Sequence, residues 1–228
     1  MSTPGKPQRR RSTGKGDAVP PRYWLGREVT DRRTRILCAA QEVFAQQGFR
    51  SAEVRTVAER AGVGKATIYK FFPSKEALLL VIVEESLNYI RDLALASLIE
   101  DGEPLDRLER AARIMARFLE QNREFARVLL QEAGEFMGDI QRKHLALVEQ
   151  NLPFAEVFFG TLRDQGYFQA LNTRESVHLL VNVMIGATYT WALTGEGNLE
   201  EQAIRYLRVL IEGLRTDPKK INRQIRRG

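Results

Sequence analysis

From Thr30 onward, apolar residues recur at helical spacing along most of the chain, and Gly or Pro marks the breaks between runs. Ile36, Leu37, Ala40, Val43 and Phe44 form the first stripe, with Thr30 as its expected N-cap and Gly48 as its stop. Val54, Val57, Ala58 and Ala61 mark a second, short helix closed by Gly62. A third short helix is predicted over about 65–71, ended by Pro73. Ser74 then caps a long helix reaching to about Glu100, through Leu78, Val81, Leu87, Ile90 and Leu98. After Gly102 and Pro104, helical periods resume over 104–121, 123–133, 137–165, 173–194 and 199–215, with a kink or split expected at Pro153. No stretch alternates apolar and polar residues between turn signals, so no strand is expected. The chain reads as all-α.

Residues 1–29 stand apart. They are rich in Lys, Arg, Pro, Gly and Ser and lack an apolar period, which reads as a disordered basic arm whose only sticky spot is Tyr23-Trp24-Leu25. Lys219–Arg227 adds five positive charges and no negative one, the mark of a frayed tail. The formal net charge of +6 is unevenly spread. Residues 1–75 hold 16 Lys/Arg and 6 Asp/Glu, a net of +10, which leaves 19 and 23, a net of −4, for the other 153 residues. A basic N-terminal third on an acidic body points to a nucleic-acid-facing end.

Three helices, two of them short and joined by the tight turn Gly62-Val63-Gly64, have the layout of a helix-turn-helix. The major groove admits one α-helix, so a two-turn helix braced by a supporting helix can present its first side chains to base edges. Here Val54–Ala61 is the support, and the recognition helix starts at Lys65.

Four separated blocks then match one family in order and spacing. Phe44-Ala45-Gln46-Gln47-Gly48-Phe49, Val57-Ala58-Glu59-Arg60-Ala61-Gly62-Val63, Thr67-Ile68-Tyr69-Lys70-Phe71-Phe72 and Ser74-Lys75-Glu76-Ala77-Leu78 together resemble the DNA-binding domain of TetR-family regulators. The resemblance covers about residues 33–80 and implies DNA contacts at Arg55, Lys65, Ala66, Thr67, Tyr69, Lys70 and Lys75. Ala66 and Thr67 offer methyls to thymine, while Lys65 and Lys70 reach guanine or phosphate. Tyr69 matches a tyrosine that donates to the backbone, and Lys75 a first-turn lysine with a phosphate role. Two positions depart from the pattern. Ala52 and Glu53 stand where the family usually has Thr, and Glu53 faces phosphate unfavourably; Gly64 replaces a Ser at the start of the recognition helix.

Beyond residue 100 only length and helix count resemble the family. By that resemblance the last two helices form a four-helix dimer interface, through apolar positions that include Leu179, Val183, Ile185, Tyr189 and Trp191, then Ile204, Leu207, Leu210, Ile211 and Leu214. It also implies a ligand cavity with Met115, Phe118, Phe125, Phe158, Phe159, Met184 and Tyr189 as candidate walls, a lining that suits an apolar or aromatic effector. The expected layout is an arm (1–29), a helix-turn-helix domain (30–76), a larger helical effector-binding and dimerisation domain (77–216) and a tail (217–228).

Catalytic patterns are missing from the sequence. Gly62–Thr67 fails the phosphate-loop pattern because Ala66 follows the lysine and Glu59 holds the first glycine position. His144 and His178 lie on different predicted helices without ligand-spaced companions, so neither a metal nor a cofactor is expected. Cys38 is the single cysteine, the apolar stretches read as interrupted by charge before a membrane span is reached, and a cytoplasmic location is expected. The partners expected are operator DNA, a second copy of the chain and a small-molecule effector, with release of a repressor as the mode. The competing reading is a DNA-organising protein of the same fold without a ligand.

Overall fold

The computed structural model describes residues 23–215, except the side chains of Tyr23 and of several residues in 124–144. The basic arm before Tyr23, the tail after Arg215 and the side chains of Phe125 and His144 lie outside the described residues. Eight helices follow a small hairpin: β1 (Tyr23–Trp24), β2 (Arg27–Glu28), α1 (Arg32–Gln47), α2 (Val54–Ala61), α3 (Lys65–Phe71), α4 (Lys75–Ile99), α5 (Pro104–Gln121), α6 (Arg123–Asp164), α7 (Thr173–Thr194) and α8 (Leu199–Gly213). The fold is all-α, with the helix-turn-helix at its N-terminal end and a helical C-terminal part.

The hairpin corrects the expectation of a structureless arm up to residue 29. β1 pairs antiparallel with β2, Tyr23 opposite Glu28 and Trp24 opposite Arg27. Leu25 and Gly26 turn the chain at φ 49° and 72°, the doubly positive combination that a two-residue I′ turn requires. Trp24 and Leu25 are buried, and the Trp24 Nε1–H donates to Gln41 Oε1 of α1 at 2.8 Å. Arg27 stacks over the Trp24 ring and pairs with Glu85 of α4, which also holds Arg33 of α1. Strands of two residues carry no periodicity, so the pattern along the chain could not reveal them.

The helix ends follow local chemistry. Asp31, not Thr30, caps α1: its carboxylate accepts from the Thr34 amide at 2.9 Å and hydroxyl at 2.6 Å, which holds it below the ordinary carboxylate range. Asn172 and Glu175 close a capping box on α7, and Gly195 ends that helix in the left-handed region at φ 71°. The segments 123–133 and 137–165, expected as separate helices, form the single 42-residue α6, which runs through Pro153. A single glycine such as Gly134 costs about 1 kcal/mol, too little to stop a helix.

α1, α2 and α3 enclose a small core of Ile36, Leu37, Val43, Phe44, Val57, Ala58 and Ile68, completed by Leu78, Ile82 and Val83 from the start of α4. α4 then leaves that core and packs along α5 and α6, while α8 packs on α5 and α7. Charge pins α8 to α5. Glu200 accepts from Arg113 at 2.9 Å and from Arg117 at 2.6 Å, Arg208 makes a two-pronged contact with Glu109, and Glu120 Oε1 accepts the Leu199 N–H that opens α8.

α7 corrects a second expectation. Residues 177–194 contain no Asp, Glu, Lys or Arg, and by length and composition alone α7 is apolar enough to cross a membrane. In the fold this apolarity is split between two faces. Met184, Ala187, Thr188 and Trp191 turn inward, while Ile185, Tyr189 and Leu193 turn outward.

Candidate nucleic-acid interface

α2 and α3 form the helix-turn-helix for local reasons. Val54, Val57, Ala58 and Ala61 give α2 one buried stripe, and Gly62, at φ 64°, ends it by directing its N–H back to Ala58 and Glu59. A β-carbon is disfavoured at that φ, so the sharp turn into α3 selects glycine. Gly64 caps α3 without a side chain, and Thr67 N–H donates to its carbonyl at 2.8 Å. Only Ile68 of α3 is buried; it anchors the helix and leaves Lys65, Ala66, Tyr69, Lys70 and Phe71 exposed on the other side.

The N-termini of α2 and α4 open onto a cleft of about 580 Å³ beside α3. Ala52 to Arg55 line it around the start of α2, Lys65 and Tyr69 from α3, and Pro73 to Glu76 around the start of α4. Two helix N-termini and the outward-facing cations Arg55 and Lys65 give the cleft a positive field suited to an anion. Lys65 Nζ stands 5.8 Å over the Tyr69 ring, and the exposed Arg55 meets Glu59 one turn on at 3.4 Å, a contact that solvent screens. Ser74 Oγ accepts the Ala77 amide, and Glu76, bonded to its own amide and to Ser74, is held below the usual carboxylate range.

The expected DNA-contact residues therefore divide. Arg55, Lys65 and Tyr69 are exposed and line the cleft, Ala66 and Lys70 are exposed on α3, and Thr67 is half-buried. Lys75 is engaged within the protein. Its Nζ donates to the carbonyls of Phe49, Arg50 and Ala52 at 2.9, 3.1 and 3.2 Å and lies 4.6 Å over the Phe49 ring. The cation is spent on holding the α1–α2 loop to the start of α4. Phe71 was missed by the sequence reading. It is exposed beside its buried neighbour Phe72, and its only signal was an aromatic residue one step off the buried stripe of a short helix.

The interior residues divide as well. Phe158, Phe159 and Met184 are buried, with Phe159 stacked edge-on against Phe158 and Phe168; Phe118 is buried against Tyr89 of α4; Met115 is half-buried. Tyr189 is half exposed on the outer face of α7, so it does not line the interior of its own protomer. Trp191, Ile204, Leu207 and Ile211, expected at a dimer interface, are instead buried within the protomer, and Arg123 stacks over Trp191 at 4.9 Å. These residues form the inner half of the apolar stripe on α7 and α8. Leu179 and Val183 sit half-buried at its edge.

Residues 36–82 match the family described as bacterial regulatory proteins, tetR family. The chain is 26% identical over 193 residues to the HTH-type transcriptional regulator YdgC of Bacillus subtilis, a match covering 81% of this chain and 93% of that protein. It is 30% identical over 128 residues to the HTH-type transcriptional regulator RutR of Escherichia coli, covering 54% of this chain and 60% of that one. The family match takes in the helix-turn-helix and the start of α4. That match and these relatives support a TetR-family helix-turn-helix transcriptional regulator. Its fold is shared along its length with the transcriptional regulator FadR of Bacillus subtilis, solved in complex with stearoyl-CoA, at a TM-score of 0.65 and 18% identity over 78% of this chain and 97% of that one.

Proposed function

We propose that this regulator is a repressor that binds a palindromic operator as a homodimer and is released by a small apolar or aromatic ligand. The observation that carries the reading is the exposed face of α3, with Lys65, Ala66, Tyr69 and Lys70 beside a cleft flanked by two helix N-termini. Residues 30–76 are the DNA-binding unit and residues 77–216 the effector-binding and dimerising one. The arm 1–29 and the tail 217–228 complete that division, and the cytoplasm is where such a protein would meet its operator.

One short recognition helix makes few base contacts, and a two-fold dimer doubles them over half-sites about one turn of DNA apart. The support for self-association is the outer stripe of α7 and α8. Ile185 and Tyr189 are each 51% exposed, Leu193 65% and Val209 70%, with Tyr206 beside them. Such residues, aligned on adjacent helices, make an apolar face that a second copy would cover.

Ligand release is supported by the aromatic band and its link to α4. The FadR neighbour of the same fold holds stearoyl-CoA, a ligand with a long apolar chain. Here Phe118 meets Tyr89 at 5.4 Å, and Tyr89 lies fourteen residues, about 21 Å of helix, beyond Lys75 in the DNA-side cleft. A ligand that displaces Phe118 from Tyr89 would shift α4 and with it the two recognition helices, favouring dimers that no longer match both half-sites.

Selection from random duplex DNA with the purified protein tests the reading. Enrichment of one palindrome with two half-sites is the expected result, and Lys70→Ala should then weaken binding to it by about 1–3 kcal/mol. Salt-sensitive binding with no enriched sequence would replace the repressor by a DNA-organising protein of the same fold.

A further inference from the structure

Glu53 is the one feature of the DNA-side cleft that the regulator reading does not absorb. It sits at the N-cap of α2, exposed, and its side chain makes no capping hydrogen bond. The other charged groups lining the cleft are engaged: Arg55 with Glu59, Lys65 over Tyr69, Lys75 with three carbonyls, and Glu76 with Ser74 and its own amide. Among the described residues, the Glu53 carboxylate has no hydrogen-bond or ion-pair partner. It therefore projects an uncompensated negative charge where a helix N-terminus and two cations would otherwise draw in a phosphate.

We infer that Glu53 is a built-in negative determinant of DNA affinity, acting on the phosphate backbone and not on the bases. Resting on the DNA-binding reading above, the inference names one residue that sets how tightly that site holds. The carboxylate occupies the favourable end of the α2 dipole and repels the strand that approaches it. Each half-site is thereby weakened, so stable binding requires two half-sites together. The bound state then stays within reach of a ligand that needs to disrupt only one of them.

The test uses the full chain and two duplexes of equal length, the selected operator and a scrambled sequence, titrated across a salt series. Glu53→Gln removes the charge at nearly constant shape, and Glu53→Thr adds a capping hydroxyl besides. Because the Glu53 side chain is exposed and caps nothing, Glu53→Gln should keep the wild-type Tm, while Glu53→Thr should keep or raise it. Both should tighten binding to operator and scrambled duplex by a similar factor, about 3- to 10-fold per half-site, with a steeper fall of affinity with salt. Glu196→Gln, in the exposed α7–α8 loop, removes the same charge far from the cleft in sequence and should change neither.

Unchanged affinity for both duplexes in the Glu53 variants overturns the inference. An equal gain in Glu196→Gln also overturns it, because net charge would then be the cause. Weakened binding confined to operators with a cytosine at one position overturns it too, by making Glu53 a base reader that accepts from the cytosine amino group. A wild-type protein that binds neither duplex would instead remove the DNA-binding reading itself, so the two failures are distinguishable.

Discussion

Replacing Lys75 by Met keeps most of the stem and deletes the cation. Nζ donates to three carbonyls, of which those of Phe49 and Ala52 are partly buried while that of Arg50 is exposed and readily taken over by water. A hydrogen bond from a charged donor contributes about 1.5 kcal/mol or more, so the two sheltered contacts amount to about 3 kcal/mol. The cation over the Phe49 ring at 4.6 Å adds about 0.5–1 kcal/mol, offset in part by the retained contact of the methionine side chain. A net loss of about 3 kcal/mol corresponds to a fall in Tm of about 6–12 °C for a chain of this size. Thermal and urea denaturation of wild type and Lys75→Met, without DNA, measure it. A variant that melts within about 2 °C of wild type yet loses operator affinity would refute the reasoning, because Lys75 would then be spent on phosphate and not on the loop.

Further predictions follow from other parts of the fold. Ile185→Arg and Val209→Glu place charges on the outer stripe of α7 and α8 without touching the protomer core, so sedimentation should find folded monomers; an unchanged dimer would move the interface elsewhere. Glu200 is held below its ordinary value of 4.5 by the hydrogen bond from Arg117 first and that from Arg113 next, and Glu109 likewise by Arg208. A depressed carboxylate stabilises the fold above its unfolded value and loses that contribution as pH falls through the lower, folded one. The Tm gap between wild type and Glu200→Gln should therefore be present at pH 7 and close as pH falls below about 4.5, and a gap that persists in acid would show that ionic pairing is not its source. Gly26→Ala places a β-carbon 2.8 Å from Tyr89 Oη at a φ of 72°, and should cost about 1 kcal/mol or more by forcing the hairpin off α4; equal Tm values would mean that the hairpin contributes nothing to the fold.

The helix-turn-helix was legible because its determinants are local. Gly62 must adopt a left-handed φ, Ile68 must anchor a two-turn helix, and the stripe Val54, Val57, Ala58, Ala61 lies within eight residues. The all-α class followed in the same way, from a 3.6-residue period sustained over most of the chain. Other features depended on contacts between residues distant in sequence. Nothing adjacent to Trp24 indicates that Gln41 and Glu85 await its hairpin, and two-residue strands have no period to detect. Lys75 reads as a phosphate ligand by position, and only the fold brings the carbonyls of Phe49, Arg50 and Ala52 to its ammonium group. α7 and α8 show the same limit. The sequence by itself determined that both carry more apolar surface than one helix face can bury. Tertiary packing decided which half of it, Trp191, Ile204, Leu207 and Ile211, closes the protomer and which half, Ile185, Tyr189, Leu193 and Val209, is left exposed. The reason is geometric: periodicity fixes the angle of a side chain around its own helix, whereas burial depends on where the neighbouring helices lie.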